Sequence, residues 1–147
     1  MKHKIYLFLY IILLNGASLQ AQKNFGGNWE GTITMEREGQ IVFSSKFVLS
    51  LIQDSSRVEG RSCVWNENAK ALFSVSGTIK DNQLTINDLK AIESDQIPLG
   101  EWCLKSMLLR LIPQRKHDKL EGSWQGKTSF SQCTPGKIAL KRITDRV

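Results

Sequence analysis

The sequence predicts an all-β fold, an eight-stranded antiparallel up-and-down barrel that follows a cleaved N-terminal leader. Three observations lead there. Beyond Ala21 the chain divides into eight runs in which apolar and polar residues alternate with period two, each closed by a turn signal. A Gly-x-Trp-x-Gly motif occurs in the first run and again in the seventh, at Gly27–Gly31 and Gly122–Gly126. No stretch past the leader shows the 3.6-residue period of a packed helix. At 147 residues and 23% charged residues the chain suits a single domain, and its ordinary composition excludes collagen-like, disordered and polytopic membrane classes.

The first run places Trp29, Gly31, Ile33 and Met35 on one face and turns at Glu38-Gly39-Gln40. The second aligns Phe43, Phe47, Leu49 and Leu51 before Gln53-Asp54-Ser55-Ser56. The third, Arg57 to Trp65, sets Val58, Gly60, Ser62 and Val64 opposite Arg57, Glu59 and Arg61, and Asn66-Glu67-Asn68 closes it. The fourth alternates Ala71, Phe73, Val75, Gly77 and Ile79 with polar neighbours. Lys80-Asp81-Asn82-Gln83 follows, and Asp and Asn tolerate the positive φ of a two-residue hairpin. The fifth begins with Leu84 and Ile86 and loses phase at Asn87-Asp88-Leu89, where a β-bulge or strand end is expected. Ala91 to Glu101, with Pro98 and Gly100, reads as the longest loop. The sixth, Trp102 to Ile112, is apolar on both sides, so its pattern does not identify an inward face. The seventh spans Lys119 to Phe130, and the eighth runs from Lys137 to Ile143 after Pro135-Gly136. Eight antiparallel strands expose two edges unless they close, and short turns favour a closed barrel over a two-sheet sandwich.

Residues 1–21 read as a signal peptide and 22–147 as the barrel domain. Lys2 and Lys4 precede ten apolar residues, Ile5 to Leu14, about half of the roughly 20 needed to cross a bilayer. A cut after Ala21 has Leu19 at the third position before it; a cut after Ser18, with Gly16 at that position, is the alternative. No cysteine lies near either cut, so no lipid anchor is expected, and the domain is placed in the periplasm or outside the cell, meeting a membrane only during export. Removing 21 of the 147 residues leaves 126, and the loss of Lys2 and Lys4 reduces the net charge from +6 to +4. The remaining cations are scattered, apart from Arg115-Lys116-His117-Asp118-Lys119, which argues against a nucleic-acid surface. Cys63, Cys103 and Cys133 allow one bridge and leave one thiol over, which suits an oxidising compartment.

In the repeated motif, Gly27, Trp29 and Gly31 share one strand face, as do Gly122, Trp124 and Gly126. Glycines beside an inward tryptophan leave room for its ring and let the strand coil. At this point the chain resembles the lipocalin-like, or calycin, barrels. In that group a G-x-W opens the first strand and a basic residue late in the last strand covers the tryptophan ring; here those are Gly27-Asn28-Trp29 and Arg142. More closely, it is similar to exported lipocalin-like barrels of unknown function common in Bacteroidetes. The matching segments are Gly27 to Ile33, Ser76 to Ile79, Trp102 to Lys105, Leu120 to Gly126 and Cys133 to Lys141; Cys63 and the tail after Arg142 depart from the pattern. The resemblance implies that Cys103 and Cys133, at the starts of the sixth and eighth strands, form the bridge, worth about 3 to 4 kcal/mol. Cys63 falls at the same barrel end, so a pairing with either of the others stays open.

No catalytic set, metal site or cofactor motif is visible. His117 is the sole histidine beyond the leader and lies in a charged turn. Asp81, Asp88, Glu93, Asp95 and Glu101 flank the long loop without calcium-loop spacing and are expected to be exposed. The leading expectation is therefore a non-enzymatic, monomeric barrel that binds a small, mostly apolar ligand, with Trp29, Phe47, Leu49, Phe73, Val75 and Trp124 as its lining. The alternative is a protein-binding or inhibitor module that uses the barrel as a rigid platform, and a hydrolase or isomerase ranks last. Interior volume separates them, since ligand cavities typically exceed about 300 Å³.

Expression of the full chain with its leader in a bacterial host is expected to yield protein whose N-terminal sequence starts at Gln22. A start at Leu19 would mark the alternative cut, and recovery of an intact Met1 would remove the leader assignment.

Overall fold

The computed structural model describes residues 22–97 and 100–143. The expected signal peptide and the tail after Ile143 lie outside the described residues. Eight strands follow in sequence order: β1 (Gly27–Arg37), β2 (Gln40–Asp54), β3 (Arg57–Asn66), β4 (Ala69–Lys80), β5 (Gln83–Ser94), β6 (Leu104–Ile112), β7 (Lys119–Lys127) and β8 (Gly136–Ile143). Each pairs antiparallel with the next, and β8 returns to β1, from Asn28 opposite Ile143 to Ile33 opposite Ile138. The barrel is closed.

Four tight turns carry the chain between β1 and β5, with positive φ at Glu38, Ser55, Glu67 and Asp81. Only one of these is a glycine-assisted reversal, where Gly39 follows Glu38. The alternation expected for β1 to β4 holds: Trp29, Ile33, Phe47, Leu49, Leu51, Val58, Val64, Ala71, Phe73, Val75 and Ile79 are all buried. On β6 the inward side, which pattern did not identify, is Lys105, Met107, Leu109 and Leu111. Leu104, Leu108 and Ile112 are the outward, partly exposed set that made the strand look apolar throughout.

Three boundaries differ from the sequence reading. β5 does not lose phase at Asn87-Asp88, because Asp88 occupies the next inward position after Leu84 and Ile86. The bulge expected in this stretch is present at its last residue: Leu89 is bulged out of the β4 ladder, Ile92 follows it in a second bulge, and the strand continues to Ser94 through part of the expected loop. β6 starts at Leu104 instead of Trp102, and β7 ends at Lys127 before a turn at Thr128–Ser131.

Close strand approach explains the glycines better than ring size alone. A Cβ on Gly31 would lie 2.0 Å from the Ala139 carbonyl oxygen, and one on Gly122 would lie 1.9 Å from that of Leu108. Both are positions where the strand coils against its neighbour's backbone. Gly126 is the motif glycine that meets a ring, with its Cβ position 3.2 Å from the Trp124 indole.

The two motif copies stand at opposite ends of the barrel. Trp29, near the start of β1, is fully buried at the end that holds the N-terminal segment. Phe25 plugs that end and is itself fully buried; its amide donates to Gln53 Oε1 (2.7 Å) and its carbonyl accepts from Trp29 Nε1 (2.9 Å). Arg142 covers the Trp29 ring with its guanidinium carbon 4.1 Å from the centroid. The same side chain donates to the carbonyls of Gly26 (2.5 Å) and Asn24 (2.7 Å) and approaches Asp118 (3.5 Å). One cation thus joins β8, the N-terminal segment and the β6–β7 loop. Trp124 lies toward the other end, where its indole N–H donates to the Thr34 carbonyl at 2.8 Å.

Replacing Arg142 by Met removes the ring contact and two charge-assisted hydrogen bonds and is expected to lower unfolding free energy by about 2 to 4 kcal/mol. Arg142→Lys should recover little, because one ammonium does not span both carbonyls in a planar fork. Denaturant unfolding followed by tryptophan fluorescence measures both; a loss below about 0.5 kcal/mol, the level of an ordinary surface substitution, would refute the role given to this residue.

Candidate functional site

The unplugged end carries a pocket of about 100 Å³. Ile33, Met35, Phe43, Val64, Trp102 and Trp124 supply most of its wall, while Thr34, Glu101, Cys103 and Lys105 supply the polar part. These groups come from the end of β1, the start of β2, the end of β3, the β5–β6 loop, the start of β6 and the end of β7. They converge because odd strands run toward this end and even strands start from it.

Two loops form the rim. Cys103 and Cys133 are bonded across a Cα separation of 6.4 Å, which ties the approach to β6 to the approach to β8. Glu101 reinforces the same link, accepting from the Ser129 amide (2.9 Å) and the Ser129 hydroxyl (2.7 Å). These bonds hold its carboxyl below the usual carboxylate range, with the backbone bond as the larger cause. Trp102 is fixed by its indole N–H donating to the Asp95 carbonyl at 2.7 Å.

Beside the pocket lies a buried ion pair. Lys105 Nζ is 2.5 Å from Asp88 Oδ2, and both side chains are shut away from solvent. Asp88 accepts two further bonds, from the Ser62 hydroxyl (2.8 Å) and from the Lys105 amide (3.0 Å). The ammonium stands 4.0 Å from the centroid of Phe73 and 5.8 Å from that of Phe47. Burial pushes the Lys105 pKa down, and the Asp88 charge restores part of the loss.

Asp88 corrects the expectation that the acids around the loop are exposed: its side chain is sealed inside the barrel and fully committed to hydrogen bonds. The other acids do not join it. Asp95 accepts from the Lys70 amide, Glu101 is on the rim, and Asp81 and Glu93 are exposed. His117 is exposed in the β6–β7 connection.

Of the residues expected to line a ligand site, Trp124 lines the pocket. Trp29, Phe47, Leu49, Phe73 and Val75 are each 2% exposed or less and pack into one continuous core with Leu84, Ile86, Met107 and Leu109. Sequence reasoning missed Phe25 and Lys105, put Ser62 on the inward face without a role, and expected Asp88 to be exposed. A polar residue at each of three inward positions was the available signal, but it becomes meaningful only once the strands are in register.

Cys63 is the free thiol. It lies between inward Ser62 and Val64, so it faces outward, half-buried opposite Val48 and Leu72. Burial is the main cause that raises its pKa, against the opposing charge of Lys70.

Lys105→Met leaves Asp88 charged and unpaired in the interior and is expected to lower stability by about 3 to 5 kcal/mol. Asp88→Asn/Lys105→Met removes both charges while keeping an acceptor for the Lys105 amide and a partner for Ser62, so it should recover most of that loss. Equal destabilisation of the single and double variants in urea unfolding would show that the two charges are not coupled.

Searches against models of known protein families and against curated proteins found no match to this chain. The structure itself shows an all-β, eight-stranded, closed antiparallel barrel with a disulfide across one rim.

Proposed function

We propose that this protein is an exported lipocalin-like barrel that binds a small, mostly apolar ligand without transforming it, and that the ligand enters at the disulfide-bearing end. The observation that carries this reading is the apolar pocket among Ile33, Met35, Phe43, Val64 and Trp124, opposite an end sealed by Phe25 and Arg142. At about 100 Å³ the pocket is smaller than the roughly 300 Å³ typical of sites for drug-sized molecules. A cavity of this order suits a compact ring or a short branched chain, the scale at which a protein void of about 150 Å³ accepts benzene. The deeper interior is occupied by side chains, so the ligand is bound at the barrel mouth.

A protein-binding platform is the second reading, and one feature favours it. The β5–β6 ladder has only five residue pairs, Gln83–Asn87 with Ser106–Arg110, and beyond it Leu89 and Ile92 are 58% and 47% exposed. Exposed apolar groups beside a short ladder are the kind of surface that a partner covers.

Thermal unfolding in the presence of compact apolar solutes such as toluene or methylenecyclopentane tests the leading reading. Saturation at about 100 times the dissociation constant should stabilise the fold by about 2.7 kcal/mol. Val64→Phe, which places a ring where the pocket wall now ends, should abolish the shift. Unchanged melting across the panel would remove the pocket as a binding site.

A further inference from the structure

We infer that Lys105 makes the pocket selective for small apolar molecules that carry one uncharged carbonyl oxygen, bound by a hydrogen bond from the Lys105 ammonium. This rests on the pocket being the ligand site and adds the chemical class of ligand. Three observations lead to it. Lys105 is part of the pocket wall, and it is the one cation there among the described residues. Its ammonium has three N–H groups, of which one is taken at short range by Asp88. Its other hydrogen bond among the described residues is to the Cys103 carbonyl at a long 3.5 Å, and the faces of Phe73 and Phe47 also lie against it. Donor capacity is therefore left over beside a mostly apolar void.

Charge accounting selects the kind of acceptor. Asp88 already balances Lys105, and three hydrogen bonds occupy its carboxylate. A ligand carboxylate would place a second negative charge against this neutral pair in a low-dielectric site, with Glu101 adding a third at the rim. A hydroxyl fits less well than a carbonyl, because its own O–H also needs an acceptor. Thr34, the neutral hydroxyl on the wall, already exchanges bonds with the Lys137 backbone. A carbonyl oxygen only accepts, so it uses the spare N–H and leaves no donor behind. A ketone, aldehyde or lactone of about six heavy atoms matches both the volume and the bonding.

The test compares two neutral probes of one shape, cyclopentanone and methylenecyclopentane, with the bulkier anion cyclopentanecarboxylate on the full mature chain, with affinities taken from tryptophan fluorescence and from thermal shift. A purely apolar pocket prefers the methylene compound, because the ketone must give up its hydrogen bonds to water. The expected result is a preference of at least tenfold for the ketone in the wild type, weaker binding of the carboxylate, and a reversed order in Asp88→Asn/Lys105→Met. Binding of both neutral probes with no ketone preference overturns the inference while leaving the pocket in place, and so does tightest binding of the carboxylate. A ketone preference that persists in the double variant overturns the assignment to Lys105. Failure of all three probes to bind overturns the pocket reading itself. A shift of the bound ketone's infrared carbonyl band to lower frequency, absent in the double variant, gives a readout independent of affinity.

Discussion

Closure of the sheet is the constraint on which everything else in this molecule depends. Pairing β8 with β1 fixes the strand number at eight, and an eight-stranded barrel has an interior only about wide enough for its own side chains. Closure also forces strong coiling, so Gly31 and Gly122 stand where a neighbouring strand's carbonyl comes within 2.0 Å of any Cβ. It leaves two open ends, and the chain treats them differently. At one, Phe25 is pulled over the opening and held there by Gln53 and Arg142. At the other, two loops are joined by a disulfide and a serine–glutamate contact, and the space between the strands is left partly unfilled.

The buried pair of Lys105 and Asp88 lies beside that unfilled space. Large aliphatic groups at both positions would have extended the packed core toward the rim. Instead the pair holds charge and hydrogen-bonding capacity beside the void, and Ser62 and the Lys105 amide complete the carboxylate's bonding. Replacing a buried pair of this kind with apolar side chains often leaves stability unchanged or improves it. Stability alone therefore gives little reason for its presence, whereas a role facing the pocket gives a direct one. The Asp88 side chain also takes the Lys105 amide, just past Asn87 and Ser106 where the β5–β6 ladder stops. The same residue thus serves the interior and ends a strand pairing.

Much of this architecture could be read from the residues. Alternation gave β1 to β4 their inward faces, and Asp81 and Glu38 sit at positive φ in turns marked by their composition. The stretch Gly27 to Trp29, taken with Arg142, carried a resemblance whose ring contact appears at 4.1 Å. Legibility failed where charge entered the core. Asp88 looked like a break in phase, and the inward place of Lys105 went unassigned with the face of its strand, since each is costly to bury alone. They are 17 residues apart, and only the register of β5 against β6 shows that they neutralise each other. Leu104, Leu108 and Ile112 obscured β6 for the opposite reason: they are apolar residues on the outer face, a common condition of protein surfaces that periodicity cannot discount. The size of the pocket was out of reach altogether, because it depends on how fully the other side chains fill the barrel.

Cys103 is at once half of the disulfide and part of the pocket wall. The shape of the pocket mouth is therefore coupled to the redox potential of the medium. Before oxidation, nothing covalent fixes the approach to β6 against the approach to β8, and the Glu101–Ser129 hydrogen bonds and the bond from Trp102 to the Asp95 carbonyl hold the rim. Once the bond forms, the wall is set at no further entropic cost to a ligand that arrives later. A chain held in a reducing compartment would carry the same strands and the same buried ion pair while presenting a looser entrance, so the pocket's final shape would mature with the disulfide and not with the fold.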